Sequence, residues 1–301
     1  MVRSRPHYMR GGRSRARPTR IADFHVHIGT VRSWSKSIIG SIEATVGDLI
    51  AYMDCCDVEK AVVLPVAEHY LDIGERIDST EAVLRATARH NDRLIPFCSV
   101  NPLDPHASEE VEEFVERGCR GFGEHKVELP VSHPKSKQIY ALCGKLGIPV
   151  LVHMDNRFNP GLDEYERVVR DFPDVPFIAH GPNWWSAISS LVREGEVYPS
   201  GRITKPGQAV RILEGYSNAY ADISATSGLN ALERDAKFAR KLIVDNCEKI
   251  LYGTDYPCLH ASGVQFGPGS LHLRLLKSLR LPEDVLDQVL WRNAERLLRG
   301  L

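Results

Sequence analysis

Four histidines and one aspartate have the side chains and the spacing needed to bind a divalent metal ion. His25 and His27 stand one residue apart at the end of an apolar run, and alternate residues of a strand share one face. His153, His180 and Asp255 each end a later apolar run. Imidazole and carboxylate ligands without a thiolate suit Zn²⁺, Mn²⁺ or Fe²⁺ in a site left open for water. The pattern therefore predicts a catalytic metal site rather than a closed structural one.

The elements that must position these side chains repeat one rhythm from residue 21 onward. Short runs rich in Val, Ile, Leu and Phe alternate with longer segments of helical spacing, as expected for strands covered on both faces. The runs span 21–27, 60–66, 93–100, 119–127, 149–154, 176–181, 218–224 and 249–255. Eight such units predict a (β/α)8 TIM barrel, in which catalytic groups lie at the C-terminal ends of the strands.

Helix ends can also be assigned between the runs. The segment 106–118 has Ser108 as a candidate cap and Gly118 as its stop, and the segment 136–147 ends at Gly147. The apolar stripe of 282–299 predicts a last helix that closes over the barrel. A doubly wound open sheet is the alternative fold. The absence of a Gly-rich phosphate loop after the first run weakens that alternative.

One spacer, residues 182–216, is too long and too rich in Pro and Gly for a single helix. We expect an inserted loop or hairpin after strand six, on the catalytic face of the barrel. Trp184 and Trp185 in this spacer could line a substrate pocket or a subunit contact of a homodimer. Trp184 is therefore a substrate-binding candidate, although core packing of at least one of the two is the simpler expectation.

Charge is distributed unevenly along the chain. Residues 1–20 contain seven arginines and no acid, and without those seven the chain has 31 basic against 39 acidic residues. We predict a disordered basic tail over 1–20 and one barrel domain over 21–301. No apolar stretch approaches the roughly 18 residues that a bilayer requires, and the N-terminus lacks the apolar core of a secretory signal. We therefore expect a cytoplasmic protein that acts on a small molecule and binds neither membrane nor nucleic acid.

Cysteines and the remaining histidines are expected to play structural roles. The seven cysteines are odd in number and contain no C-x-x-C pair, which predicts reduced, buried thiols, with Cys258 the exception because it follows a motif discussed below. His125 should face the helices because it alternates with Glu124 and Lys126. His260 could reach substrate from the last loop. Solvent exposure is expected for the histidines of the spacers, which are His69, His90, His106, His133 and His272.

Several motifs, taken in order, resemble the amidohydrolase superfamily, and more closely its amidohydrolase-related branch with the aminocarboxymuconate-semialdehyde decarboxylase-like enzymes. The matching pieces are DFHVHIG (23–29), VNP (100–102), LVHM (151–154), IAHGP (178–182), YADISA (220–225), ILYGTDYP (250–257) and WRNAERLLRGL (291–301). They cover nearly the whole chain after the tail. The combination is typical of the superfamily but does not specify a substrate.

The resemblance implies roles for single residues. His25, His27 and His153 match metal ligands at the ends of strands one and five. Asp255 matches the strand-eight aspartate, which binds metal and accepts the proton of the nucleophilic water. His180 matches a residue that binds a second metal ion in binuclear members and orients substrate or acts as an acid or base in mononuclear ones. Zn²⁺ is the preferred ion, with Mn²⁺ or Fe²⁺ as alternatives, at one or two per chain.

Strand four departs from the decarboxylase-like pattern. Glu124 is similar to the strand-four acid of TatD-type metal-dependent hydrolases, which makes it a candidate metal ligand. Lys126 shares its face, and a carboxylated lysine there is the alternative bridge between two ions. An ordinary buried ion pair between Glu124 and Lys126 is the third interpretation.

Three functions follow from these residues. The first is a metal-dependent hydrolase that uses metal-activated water on an amide, ester or lactone of a small organic acid. The second is a metal-dependent decarboxylase or hydratase of an aromatic or muconate-type acid, with Arg157 as the cationic residue that binds substrate, unless it is a surface arginine at a helix start. The third is a barrel without activity that binds a partner through its tail, which the complete set of expected ligands argues against. Glu124 favours the hydrolase.

Overall fold

Eight short parallel strands form the centre of the computed structural model, which describes residues 20–32, 40–67, 76–193 and 195–298. The strands are β1 (Ala22–Val26), β2 (Lys60–Val63), β3 (Leu94–Pro96), β4 (Phe122–His125), β5 (Val150–His153), β6 (Phe177–His180), β7 (Ala219–Asp222) and β8 (Ile250–Leu251). Each lies within one of the eight apolar runs, so the predicted strand positions are confirmed.

The strands follow one another around a ring in sequence order. One parallel sheet has the order β1–β2–β3, and a second parallel sheet runs in order from β4 to β8. Isolated parallel bridges, Cys98 with Phe122 and Val26 with Tyr256, connect the two sheets at both seams. This order is that of the predicted (β/α)8 barrel, and it excludes the open doubly wound sheet, whose strand order reverses at a switch point.

Helices cover the outside of the ring. They are α1 (Val46–Cys55), α2 (Thr80–Thr87), α3 (Ala107–Glu116), α4 (Pro134–Leu146), α5 (Leu162–Asp171), α6 (Pro182–Ser186), α7 (Gln208–Gly215), α8 (Ala225–Glu233), α9 (Ala236–Asp245), α10 (Leu271–Ser278), α11 (Glu283–Asp287) and α12 (Asn293–Leu297), with a 3-10 turn at Ala88–His90 and a π-helical segment at Gln288–Arg292. Among the described residues, none of these helices is both long and apolar enough to cross a bilayer.

Large apolar side chains fill the interior of the barrel below the site. Phe24 and Phe97 meet edge to face there, with ring centroids 5.7 Å apart. The rest of this inner cluster comprises Ala22, Val62, Leu64, Leu151, Ile178, Leu251, Trp291, Ala294, Leu297 and Leu298. The last four belong to the C-terminal helical segment, so the predicted closing helix fills the end of the barrel opposite the site. Each large side chain buried here contributes about 1.5–3 kcal/mol.

A small antiparallel sheet beside the barrel mouth was not predicted from the sequence. Gly29–Arg32 pairs with both Ser41–Ala44 and Arg76–Ile77. Val31 and Ile77 of this sheet form part of the cavity wall described below. Short polar strands of this kind give little periodic signal, because only one or two of their residues are buried.

Helix boundaries agree with the sequence apart from one cap. Gly147 ends α4 in the left-handed conformation, at φ 66°, as predicted. The cap of α3 is His106 rather than Ser108, which lies inside the first turn of the helix. The 182–216 spacer contains α6 and α7 joined by an irregular loop with an isolated antiparallel bridge between Ser189 and Pro206.

Residues 1–19 of the predicted tail lie outside the described residues. Arg20, which we assigned to the tail, contacts the barrel. Its Nε donates to Glu59 Oε2 at 2.8 Å, and its guanidinium lies 3.4 Å from the ring centroid of Trp291. Arg20 itself is therefore held against the barrel by an ion pair and a cation–π contact.

Two expectations about exposure were wrong. His272 is fully buried rather than exposed, because α10 packs its ring against Phe266 and its Nε2 donates to Ala225 O at 3.1 Å. Cys55 is exposed and Cys56 only partly buried, because they lie at the C-terminal end of α1, and Cys247 is also only partly buried. Cys98, Cys119 and Cys143 are buried as expected. His69 lies outside the described residues.

Burial of His272 makes the stability of the protein depend on acidity. Burial lowers the pKa of His272 to about 4, while the unfolded chain keeps a pKa of about 6.5. The unfolded state therefore binds the proton first as the pH falls, and the stability from neutral His272 is lost below about pH 6.5. We expect His272→Gln, whose amide can still donate to Ala225, to lose about 1.4 kcal/mol less between pH 7.5 and 5.5 than the wild type.

Urea unfolding of the metal-free proteins at both pH values measures this difference. The control is His106→Gln, which removes an exposed histidine and should leave the wild-type pH dependence unchanged. An identical pH dependence in wild type and His272→Gln would contradict the assignment of a buried neutral imidazole.

Candidate metal and active site

The sequence-predicted residues meet at one mouth of the barrel, where the strands have their C-terminal ends. They surround a cavity of about 380 Å³. Its lining includes His27, Glu124, His153, His180 and Asp255. His25 lies fully buried directly beneath, with its Nε2 3.1 Å from Nε2 of His27.

His25, His27 and Asp255 form the first group of possible ligands. His25 Nδ1 lies 2.9 Å from Asp222 Oδ2, and His27 Nδ1 donates to Leu64 O at 2.8 Å. The Nδ1 atoms of both histidines thus donate to acceptors. Each Nε2 therefore keeps the free lone pair that a metal ligand requires. Asp255 Oδ1 lies 3.7 Å and 3.5 Å from these two Nε2 atoms.

These separations fit a shared cation. Ligands at 2.0–2.1 Å from a tetrahedral ion are about 3.3–3.4 Å apart, and the three separations of 3.1, 3.5 and 3.7 Å bracket that value. Two imidazole lone pairs facing one another in a buried site repel unless a positive charge lies between them. The donor chemistry and the geometry of this group therefore fit a divalent metal ion.

The backbone at Asp255 adopts a conformation that non-glycine residues rarely adopt. Its φ is 68°, in the left-handed region. The Asp255 amide donates to His25 O at 2.8 Å, which anchors this conformation against β1. Burial acts to raise the pKa of Asp255, but the adjacent His27 and His25 lower it below the usual range. The carboxylate is therefore held ionised and aimed at the two histidines.

Glu124, His153 and His180 form a second group of possible ligands. Glu124 Oε1 accepts from His153 Nδ1 at 2.7 Å and lies 3.8 Å from His180 Nε2. Glu124 Oε2 lies 3.7 Å from His27 Nε2, so the carboxylate spans both groups. From the sequence, His153 could share the ion of His25 and His27 or, with His180, hold a second ion beside Glu124; the structure brings it to Glu124 and His180.

His153 lies between two carboxylates. Its Nε2 is 3.0 Å from Asp155 Oδ2, opposite the contact of Nδ1 with Glu124. Burial acts to lower the pKa of His153, but Glu124 and Asp155 outweigh it and raise that pKa to about 9. In the absence of a metal, this side chain is therefore an imidazolium.

Lys126 also lines the cavity, two residues after Glu124. Its side chain is largely buried, and its Nζ lies 4.9 Å from the ring centroid of Phe158. Lys126 thus brings a cation into a pocket whose other charged groups are carboxylates and histidines. His125 between them points the other way, packed against Phe122 and Tyr140, which confirms its predicted orientation.

Asp222, at the end of β7, was missed by sequence reasoning. It is fully buried, and its two oxygens lie 2.9 Å from His25 Nδ1 and 3.0 Å from His180 Nδ1. Ser224 donates a short hydrogen bond to the same carboxylate. Burial acts to raise the pKa of Asp222, but His180 and His25 lower it far below the usual range. The sequence feature that could have identified Asp222 is its position at the end of a predicted strand, within YADISA.

Asp23 was also missed, although it begins the DFHVH motif. Its buried carboxylate accepts from Tyr52 Oη at 2.7 Å, from Thr254 Oγ1 at 2.6 Å and from the amides of His25 and Thr254. Burial raises the pKa of Asp23 to about 7 despite these bonds. Asp23 faces away from the cavity, so its role is to connect β1 with the segment that follows β8.

Two predicted substrate contacts lie elsewhere. The Arg157 side chain is half exposed, pairs with Glu128 and stacks over Phe158, outside the cavity lining. Trp184 is buried against Tyr165, and Trp185 donates from Nε1 to Asp222 O at 2.9 Å. The expected core packing of a tryptophan therefore holds for both. His260 stays outside the lining, whereas Cys258 belongs to it.

Comparison with known families gives a match along nearly the whole chain. The sequence model of the family described as amidohydrolase matches residues 22–300. No curated protein matches the sequence.

Solved structures with the same fold have dissimilar sequences. An amidohydrolase from Burkholderia multivorans with bound HEPES is 15% identical with a TM-score of 0.65, covering 93% of this chain and 99% of its own. A probable 2-pyrone-4,6-dicarboxylic acid hydrolase from Acinetobacter baumannii is 15% identical with a TM-score of 0.61, covering 93% and 99%. The 5-carboxyvanillate decarboxylase from Sphingomonas paucimobilis is 14% identical with a TM-score of 0.58, covering 94% and 100%. At such identities the likeness concerns the fold alone.

Removing the charge of Asp222 should weaken metal binding. Asp222→Asn keeps the size of the side chain but cannot accept a charge-assisted bond from both His25 and His180. We expect the affinity for Mn²⁺ or Zn²⁺ to fall by about 10–100-fold, as for other residues that orient metal-binding histidines. Isothermal titration calorimetry, with metal added to the metal-free protein, measures this affinity. Asp245→Asn on the surface is the control, and an unchanged affinity in folded Asp222→Asn would contradict the role.

Substitution of Glu124 tests how many ions the site can hold. If its carboxylate serves the second group, wild type should bind two ions per chain and Glu124→Gln only one, retained by His25, His27 and Asp255. Elemental analysis after dialysis gives the stoichiometry. Glu128→Gln, four residues on and exposed, is the matched control. One ion per wild-type chain, kept with full activity by Glu124→Gln, would reject Glu124 as a ligand.

Proposed function

Because the chain belongs to the amidohydrolase family, we propose that it is a metal-dependent hydrolase of an amide, ester or lactone of a small organic acid. The observation that carries the proposal is the position of Asp255. Its carboxylate lies beside His25 and His27 and also borders the cavity, so one group can both contact a bound ion and face the substrate.

The first group would hold the principal ion, for which Zn²⁺ is our preferred assignment. When bound, a divalent ion lowers the pKa of its water towards about 7 and polarises the substrate carbonyl. Asp255 then accepts the proton of the attacking water, since its side chain is ionised and reaches the cavity. It can deliver that proton to the leaving oxygen or nitrogen afterwards.

His180 is the second group that we assign to the reaction. Asp222 and Ser224 hold its Nδ1, which directs Nε2 towards the cavity mouth and Glu124. If a second ion is bound, His180 is one of its ligands; otherwise its Nε2 lone pair faces the cavity, where it can orient the substrate or act as a base. The metal stoichiometry measured for wild type and Glu124→Gln separates these two roles.

The cavity favours a small anionic substrate. Its volume of about 380 Å³ lies near the lower end of the range for small-molecule sites. Lys126 provides a cation on one wall, while Tyr198 and Phe266 provide aromatic surface on others. We assign Lys126, rather than the half-exposed Arg157, to the carboxylate of the substrate.

Decarboxylation of an aromatic or muconate-type acid is the alternative. The same Lys126 favours it, because a buried cation beside the metal ligands could hold the carboxylate that leaves as CO₂. A panel of lactones, esters, amides and aromatic acids, analysed by mass spectrometry, separates the two reactions. Hydrolysis adds the mass of water to the products, whereas decarboxylation removes the mass of CO₂.

Lys126→Met tests the assignment of the anionic substrate. The change keeps length and apolar contact with Phe158 but removes the charge. We expect KM for a carboxylate-bearing substrate to rise by about 10–100-fold, as for loss of a charged hydrogen bond, with a smaller change for its neutral methyl ester. Steady-state kinetics on both compounds measure this. Lys135→Met, on the exposed start of α4, is the control.

An equal loss on the acid and on its methyl ester would contradict the role of Lys126.

The proposed reaction itself is tested with Asp255→Asn. This variant should lose nearly all turnover, and chelator-treated wild type should lose it as well. Full activity of the chelator-treated wild type would reject a metal-dependent mechanism altogether.

A further inference from the structure

Two adjacent cysteines lie at the end of α1 with their sulfur atoms in contact. Cys55 Sγ and Cys56 Sγ are 3.3 Å apart, and Cys55 is exposed. A disulfide bond measures about 2.05 Å, so the two atoms would have to approach by about 1.2 Å to form one. Cys56 lies just outside the helix, as its C-cap, at φ −117° and ψ 9°.

Both cysteines donate a hydrogen bond to the same carbonyl group, that of Tyr52. The Cys56 amide donates to Tyr52 O at 3.2 Å, and Cys55 Sγ donates to the same oxygen at 3.1 Å. Rotation of either cysteine therefore competes with the hydrogen bonds that end α1 at Tyr52.

Tyr52 leads from this turn to the candidate site. Its hydroxyl donates to Asp23 Oδ2 at 2.7 Å, and its ring stacks on Tyr256 with centroids 5.0 Å apart. Tyr256 follows Asp255 directly, and its carbonyl accepts from the His27 amide at 2.7 Å. Displacement of Tyr52 would therefore act on the segment that holds Asp255 against β1.

A second contact leads to the cavity wall. Cys56 Sγ lies 3.8 Å from both Gly267 O and Ser270 Oγ. Gly267 is so close to the two stacked tyrosines that an added Cβ would lie 2.9 Å from Tyr52, and Phe266 before it lines the cavity. Cys56 thus touches the loop that forms one wall of the cavity, from the outer side.

We propose that Cys55 and Cys56 form a redox-sensitive dithiol whose closure to a vicinal disulfide loosens this wall of the cavity. The oxidant is a low-molecular-weight disulfide such as oxidised glutathione. Where cellular thiols are kept reduced, disulfides of this kind are transient and serve as sensors. Exposure of Cys55 and its contact with a second cysteine that can resolve a mixed disulfide are two features of such sensors.

The exchange takes place in two steps. The Cys55 thiolate attacks one sulfur of oxidised glutathione, forming a mixed disulfide and releasing one glutathione thiolate. Cys55 is the exposed thiol of the pair and reacts first, while burial and the neighbouring Cys55 raise the pKa of the Cys56 thiol to about 11. Cys56 then loses its proton, attacks Cys55 Sγ and displaces the second glutathione. The two protons of the cysteine thiols end on the two glutathione thiols.

Mass spectrometry after incubation with oxidised glutathione tests the closure. We expect wild type to lose about 2 Da, with the cross-link mapped to the peptide containing residues 55 and 56 and reversed by dithiothreitol. Cys55→Ser should not lose this mass, and Cys247→Ser, which alters another partly buried cysteine, should lose it as wild type does. A protein that remains unmodified, or that carries a lasting glutathione on Cys55, would overturn the proposal.

Hydrogen–deuterium exchange tests the effect on the cavity wall. We expect amides in 252–270 to exchange several-fold faster in the oxidised wild type than in the reduced protein, and Cys56→Ser to show no difference between the two conditions. Unchanged exchange after complete closure would overturn the connection to the cavity. Neither experiment uses a substrate, so their outcome is independent of the proposed hydrolase activity.

Discussion

The Asp23 carboxylate accepts hydrogen bonds from both segments that carry the first group of candidate ligands. Its oxygens bind the His25 amide on β1 and the Thr254 amide and hydroxyl just before Asp255. β1 and β8 are the first and last strands of the ring, so no continuous chain holds them together. Without this junction the two histidines and the aspartate would belong to independent chain ends. Burial of a carboxylate is costly, and here four donors offset the cost.

Two interruptions of regular pairing place the functional side chains. The register between β1 and β2 shifts between Asp23 and Val26, and the register between β4 and β5 shifts between Phe122 and His125. Strict alternation would put His25 on the opposite face from Phe24, which fills the barrel interior. The shift lets both residues point inward, at different heights. Irregularities of this kind re-aim side chains next to active sites, and they have no signature in the pattern of apolar residues.

The strands could be predicted from the sequence because a run of apolar residues has one favourable environment, the buried interior. All eight strands were placed because continuous apolar runs report burial on both faces, and the histidines at their ends meet as strand geometry requires. Asp222 and Asp23 were missed because a buried aspartate differs from an exposed one only in its partners, which lie far away in the sequence. The sequence left Arg157 open between a substrate contact and a surface arginine, because an arginine near a strand end can turn inward or, as here, outward to an acid such as Glu128.

The packed end of the barrel has a kinetic consequence. Trp291, Leu297 and Leu298 fill the interior beneath Phe24, so nothing can reach His25 from that side. In the proposed metal-dependent reaction, ion and substrate would both enter through the mouth that the described residues form, and the ion would lie deeper, beside His25 and His27. Loading would then be ordered, metal first, and a substrate in the cavity would trap the ion beneath it. Exchange of one metal for another would be confined to the interval between product departure and the next substrate, and bound substrate would protect the site from chelators.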